Sequence, residues 1–177
     1  MGILEQTLQR VGPVDHRAMD AARQRQGQLT KPPGSLGRLE ELSIQVAGIM
    51  GQPVPKLKHK TIIVAAGDHG VVAEGVSAYP QQVTAQMVEN FIAGGAAINV
   101  LARHVDARLL VVDAGVAAEI KPRVGLVSKR IAPGTANMAR GPAMTREQAV
   151  AAIETGLTIA DQELRKGADI FAIGEMG

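Results

Sequence analysis

The chain has 177 residues, 46% of them hydrophobic, and a formal net charge of +2. That length supports one domain with a real core, and the dispersed charges leave no electrostatic footprint for DNA or RNA. Phe91, Phe171 and Tyr79 are the only aromatics, so the core must be aliphatic, and rings on which single-stranded bases could stack are missing.

Cysteine is absent, which excludes disulfides, zinc knuckles and a thiol nucleophile. No apolar run approaches the roughly 20 residues that span a bilayer. The start, MGILEQTLQR, lacks the basic-then-apolar order of a signal peptide. Gln6 stands where the myristoylation pattern needs Ser or Thr. A cytoplasmic protein is expected.

Residues 3–28 read as helical, broken near Gly12-Pro13, with Asp15 capping a second helix from about His16 to Gln28. Arg17, Arg23 and Arg25 then form a solvated face. Lys31-Pro32-Pro33-Gly34-Ser35 is not helical, because two prolines fix φ and remove donors. Ser35 stands as an N-cap before Leu36, Leu39, Leu42 or Ser43, Val46 and Met50 at helical spacing. The prolines read as a rigid connector between two helices, or as a frame holding Lys31 and Ser35 at a site edge. Residue types favour the connector. Gln52 to His59 is a linker.

Thr61 to Pro80, TIIVAAGDHGVVAEGVSAYP, is the stretch to which chemistry points first. Ile62 to Gly67 predicts a strand buried on both faces, as in a parallel sheet. Beyond its carboxyl end, where open α/β sheets bind ligands, lie Asp68, His69 and Glu74. Gln81 to Ala93 predicts a helix, with Val83, Met87, Val88 and Phe91 or Ile92 on one face. The Gly94-Gly95 pair ends it or admits a close approach, and Ala96 to Val105 continues the pattern. Arg108 to Ala114 is a second buried strand, again ending in an acid beside glycine.

Val124 to Ile131 reads as a short edge strand. Residues 132–144, APGTANMARGPAM, form a long loop of the kind that tends to be functional. Thr145 and Gln148 fit a capping box for a helix to about Lys166, with Gly167 just beyond it. A third buried strand, Asp169 to Ile173, ends in Gly174-Glu175-Met176-Gly177. The alternation predicts α/β with a parallel sheet and right-handed connections. A buried strand needs a helix returning across its face, and none follows. The chain therefore reads as the front part of a longer protein, or as one whose open sheet a partner covers.

Neither GxGxxG nor GxxxxGK[ST] occurs. Asp68 and His69 can form an acid–base pair, although adjacent residues in an extended loop point apart. The bland reading has Asp68 capping loop amides and His69 packing. His59 and His104 are isolated, and no ligand spacing for a metal recurs. Glu175, between two glycines at a strand tip, is the sharper candidate. Partial burial there is expected to raise its pKa toward use in proton transfer or hydrogen bonding to a heterocycle nitrogen.

Lys31–Glu40 (KPPGSLGRLE), Ala65–Ala102, Val111–Val116 (VVDAGV), Gly134–Met144 (GTANMARGPAM) and Gly174–Gly177 (GEMG) together resemble the N-terminal half of the nicotinate-nucleotide–dimethylbenzimidazole phosphoribosyltransferases. The resemblance implies transfer of ribose phosphate from nicotinate mononucleotide to 5,6-dimethylbenzimidazole. The products are α-ribazole phosphate and nicotinate, in cobalamin lower-ligand assembly. It implies a Rossmann-like parallel-sheet domain, incomplete here, and an N-terminal helical segment belonging to a smaller helical domain. Residues 1–50 are that segment, 51–60 the linker and 61–177 the first part of the α/β domain. A homodimer is implied; no cofactor or metal, nucleic acid or membrane partner is expected.

The family's general-base glutamate lies in a GEGSGA-like segment absent from these residues. No catalytic residue is therefore inherited, and Glu175 is left in a supporting role near the bound base. Asp68, His69, Tyr79, Gln86, Met87 and Glu175 are the expected substrate-binding residues, and inactivity of these residues alone is expected. The competing readings are a non-catalytic azole- or nucleotide-binding module working with a partner chain, and a remnant with no ligand.

Overall fold

The computed structural model describes residues 2–177. Its contacts divide the chain into Thr7–Leu57 and a larger unit made of residues 2–6 with Lys58–Gly177. A first helix, α1 (Ile3–Arg10), runs across that division.

The smaller unit is built on α2 (His16–Gln28) and α3 (Arg38–Met50). Asp15 caps α2, its carboxylate accepting from the Ala18 N–H at 3.0 Å, an interaction of about 1 kcal/mol. The two helices run in opposite directions, since Asp15 N–H donates to the Gly48 carbonyl and Gln26 to the Ser43 hydroxyl. Ala18, Ala22, Ala47 and Gly48 are the buried residues between them. Such small side chains let the backbones approach closely but bury little apolar area.

Ser35 does not cap α3. The chain instead turns through Pro32–Gly37, with Ser35 N–H bonded to the Pro32 carbonyl, and the helix starts two residues later than its polar signature suggests. No side chain caps α3 at Gly37; Glu40 Oε1 instead accepts from the Leu36 N–H at 3.2 Å, ahead of the helix, and from Lys31 Nζ at 2.6 Å. These donors, Lys31 first, hold the Glu40 carboxyl below its usual range. Lys31 is thus tied back to the chain, which is the connector role.

The larger unit carries a four-stranded, fully parallel sheet in the order β3-β2-β1-β4. Its strands are β1 (Lys60–Gly67), β2 (Ala107–Gly115), β3 (Leu126–Ser128) and β4 (Ile170–Met176). Helices α4 (Gln82–Ala93) and α5 (Ala97–His104) cover one face, packing Val88, Phe91 and Ala102 on Ile62, Val64, Ala66 and Val111. Val88 is fully buried, worth about 1.5–2 kcal/mol in transfer from water. At the α4–α5 corner the buried Asn99 donates to the Phe91 carbonyl and accepts from the Ala96 N–H, so the glycine pair there is a helix junction. Helix α6 (Arg146–Arg165) opens with the capping box, Thr145 Oγ1 accepting from Gln148 N–H and Gln148 Oε1 from Thr145 N–H.

The third long strand differs from expectation in two ways. It runs on through Glu175 to Met176, paired with Ala65 and Ala66 of β1, so Glu175 belongs to a strand and not to a loop. It is also not buried: Ile173 is 88% exposed. β4 is an edge strand, and among the described residues no helix lies over that part of the sheet, so its apolar sequence stays open to solvent.

Candidate functional site

From β1 the chain adds β2 and β3 on one side, then crosses to place β4 on the other. The strand order therefore reverses between β1 and β4, and ligand sites in open α/β sheets form at such a crevice, beyond the strands' carboxyl ends. Here those ends present Gly67-Asp68-His69 and Glu175-Met176-Gly177.

Asp68 is buried and spoken for. Its Oδ2 accepts from the Ala117 N–H at 2.7 Å, while its own N–H and carbonyl bond to Gly115 and Thr135. Asp113 does the same for β2, accepting from the Val116 N–H at 2.9 Å. The acid-beside-glycine pattern at two strand ends is a device for ordering turns.

His69 pairs its backbone with Thr135 as a parallel bridge. Its ring turns away from Asp68 toward β4, where Nε2 lies 3.3 Å from Glu175 Oε1. Glu175 is 69% exposed in its side chain, so the partial burial expected for it is absent. Being on an edge strand, it stays in water. Asp68 and His69 thus make separate contacts and no relay.

Two glycines lock the loop from residue 132 to 144 against this corner. A Cβ on Gly70 would lie 2.7 Å from the Ala136–Asn137 backbone, so only glycine permits that approach. Gly134 adopts φ +84 directly under the Asp68 carbonyl. Across the same seam Glu74 Oε1 accepts from Asn137 Nδ2 at 2.6 Å and Arg140 Nε at 3.1 Å.

The result is a cleft of about 330 Å³ walled by Val71, Val72, Val76, Thr84 and Met176, with Asp68 and His69 at its floor and Tyr79 at its rim. A smaller hollow of about 170 Å³ shares Asp68 and His69 and reaches Thr135, Met144 and Gln148. The structure brings Asp68, His69 and Tyr79 to the cleft, with Glu175 joined through His69. It does not bring Gln86, which is exposed on α4, or Met87, which packs against the core. Sequence reasoning made Thr61 to Pro80 the wall of a base-binding pocket but did not single out Val71, Val72 and Val76, although paired valines inside an otherwise polar, glycine-rich loop signal them. Among the described residues no three of His, Cys, Asp and Glu come together in a way that could hold a metal ion. Among the described residues no helix is long and apolar enough to cross a membrane.

A family model described as phosphoribosyltransferase (DBI_PRT) matches residues 11–177. The nicotinate-nucleotide–dimethylbenzimidazole phosphoribosyltransferase of Chloroflexus aurantiacus is 55% identical over 177 residues, all of this chain and 50% of the relative. That of Desulforudis audaxviator is 54% identical with the same coverage. The crystal structure of CobT from Thermus thermophilus superposes with a TM-score of 0.86 at 49% identity, covering 91% of this chain and 48% of that one. The chain spans about half the length of the curated relatives it matches.

Proposed function

The chain belongs to the phosphoribosyltransferase family whose model it matches over residues 11–177, and from that premise we propose that it serves the transfer of ribose phosphate from nicotinate mononucleotide to 5,6-dimethylbenzimidazole. The products are α-ribazole phosphate and nicotinate, which makes the protein a pentosyltransferase of cobalamin lower-ligand assembly. The observation that carries this reading is the match of the whole chain, at 55% identity, to a relative named for that transfer.

The cleft supports the azole half of the reaction. Aliphatic walls from Val71, Val72, Val76 and Met176 suit a flat, apolar bicycle, and a few polar groups suffice to orient it. Glu175, joined to the cleft through His69, offers an exposed carboxylate for binding, and Tyr79 a ring at the rim. In the transfer, one benzimidazole nitrogen attacks the anomeric carbon with inversion, nicotinate departs with the bonding electron pair, and a glutamate takes the proton from the other nitrogen. The family's glutamate for that proton has no counterpart in these 177 residues, so we assign Glu175 to binding and not to proton removal. We further propose a cytoplasmic homodimer, in keeping with the absence of cysteine and with Val100, Leu101 and Val105 standing exposed on and just beyond α5; light scattering tests it, a monomer mass overturning it.

Incubation with both substrates, followed by chromatography for α-ribazole phosphate, tests the activity. The 177 residues alone are expected to give none, and turnover by them would overturn the assignment of the base to another segment. Joined to the remaining half of the Chloroflexus aurantiacus relative, they are expected to give product. A folded fusion that binds azole without turnover would instead leave a non-catalytic binding module.

A further inference from the structure

We propose that Thr84 is a specificity-determining residue of the cleft, its hydroxyl selecting acceptor azoles that carry a hydroxyl on the six-membered ring. The proposal rests on the reading of the cleft as an azole site, and it names the class of azole the cleft takes best.

Two residues of the cleft lining are buried, Asp68 and Thr84, each 3% exposed. The Asp68 carboxylate accepts from the Ala117 N–H at 2.7 Å. The Thr84 hydroxyl has no hydrogen-bond partner among the described residues. A helical threonine can satisfy itself by bonding back to a carbonyl one turn earlier. Thr158 does so on α6, its Oγ1 donating to the Glu154 carbonyl at 2.7 Å. On α4 the Pro80 carbonyl takes the Val83 N–H at 3.0 Å, and Thr84 adds no bond of its own. Nor is its oxygen sealed in. Among the described residues the one buried polar side-chain atom cut off from both solvent and partners is Gln26 Oε1. An open hydroxyl on so buried a residue opens onto the cavity that the residue lines. Its neighbours on that wall, Val71, Val72, Val76, Val83 and Met176, are aliphatic.

In the transfer both ring nitrogens of the azole are occupied, one attacking the anomeric carbon and the other yielding its proton. A wall group such as Thr84 therefore meets the six-membered ring. When 5,6-dimethylbenzimidazole fills the cleft, the hydroxyl gives up water and gains no partner, which disfavours that ligand. A hydroxyl on the six-membered ring restores the bond, since a threonine O–H both donates and accepts. Sites that pair a buried polar group with a ligand hydroxyl discriminate strongly against analogues lacking it.

The test is calorimetry of the 177-residue chain with 5-hydroxybenzimidazole and with 5,6-dimethylbenzimidazole. Wild type, Thr84→Val, Thr84→Ala and Thr84→Ser are compared, with a thermal melt of each. Wild type is expected to bind the hydroxylated ligand about tenfold more tightly than the dimethyl one. Thr84→Val keeps the branched shape without the hydroxyl and should erase that preference, chiefly by weakening the hydroxylated ligand. Thr84→Ser keeps the O–H and should retain it. The ratio of the two affinities within one variant is insensitive to a general loss of fold, and Thr84→Ala supplies it if valine crowds the wall. A wild type without the preference, a preference that survives in the valine and alanine variants, or one lost equally in the serine variant overturns the role of Thr84 while the azole site stands. No binding of either ligand by wild type overturns the azole site, and the role of Thr84 with it.

Discussion

The two ends of the sheet hold similar residue types and use them in opposite ways. At the amino end the Glu163 carboxylate is 3% exposed and held by Arg108 and Lys166, each at 2.8 Å. Asp169 accepts from the Lys58 and His59 N–H groups. A hollow of about 250 Å³ exists there, yet its buried acid, Glu163, is satisfied by the chain itself. At the carboxyl end Asp68 and Asp113 are satisfied in the same manner, but His69 stands 43% exposed beside an aliphatic wall, and Glu175, which its ring contacts, is 69% exposed. A carboxylate consumed by the chain's own donors holds the fold together. One left with open lone pairs at an apolar cleft can recognise a ligand.

The comparison breaks first if the amino end proves dispensable. Arg108 joins β2 to α6 through a buried carboxylate, so Arg108→Ala leaves Glu163 with Lys166 alone and should cost about 2 kcal/mol, read from urea unfolding. Azole affinity should not change. Asp68→Ala removes the acceptor of the Ala117 N–H and should cost about 1–2 kcal/mol, with some loss of binding because the cleft floor loosens. Glu175→Gln is the converse case. Its stability should stay within about 0.5 kcal/mol of wild type, while 5,6-dimethylbenzimidazole binds about tenfold more weakly by calorimetry.

The reason the two ends separate only in three dimensions lies in what sequence patterns encode. Buried β-branched runs such as Ile62–Val64 and Val111–Val112, the Asp15 cap and the Thr145–Gln148 box are local devices, and each was legible because its partners lie within four residues or recur with a fixed period. Parallel pairing followed from runs too apolar for a half-exposed sheet. Ser35 misled because the chain turns on through Gly37 before the helix begins, leaving α3 without a side-chain cap. β4 misled because apolar composition signals burial, while its edge position and the absence of a described helix across it were not local facts. At the site, Asp68 and His69 could be named as candidates, but the 3.3 Å approach of His69 to Glu175 joins positions 106 residues apart. No spacing rule carries that contact. The same holds for the seam between Gly70 and residues 135–137, whose only sequence trace is the glycine.

The smallest expected effect concerns Asp169, and its value is diagnostic. The Lys58 N–H above all holds the Asp169 carboxyl below the usual aspartate range, opposed by desolvation and helped more weakly by the His59 N–H and by nearby His59 and Lys60. With a folded value depressed in this way, the unfolded chain takes up the proton first as acid is added. The stabilising contribution is then complete above the ordinary aspartate value of about 3.9 and fades as pH falls through the lower folded value. Asp169→Asn removes that dependence. Wild type should therefore be the more stable protein near neutrality, and the two urea midpoints should converge as pH drops below about 4. Midpoints that stay a constant distance apart would mean that the amide contacts do not favour the ionised carboxylate. Because this group lies at the amino end, its titration should leave azole binding unmoved, whereas the same substitution at Glu175 should move binding and leave the midpoint where it is.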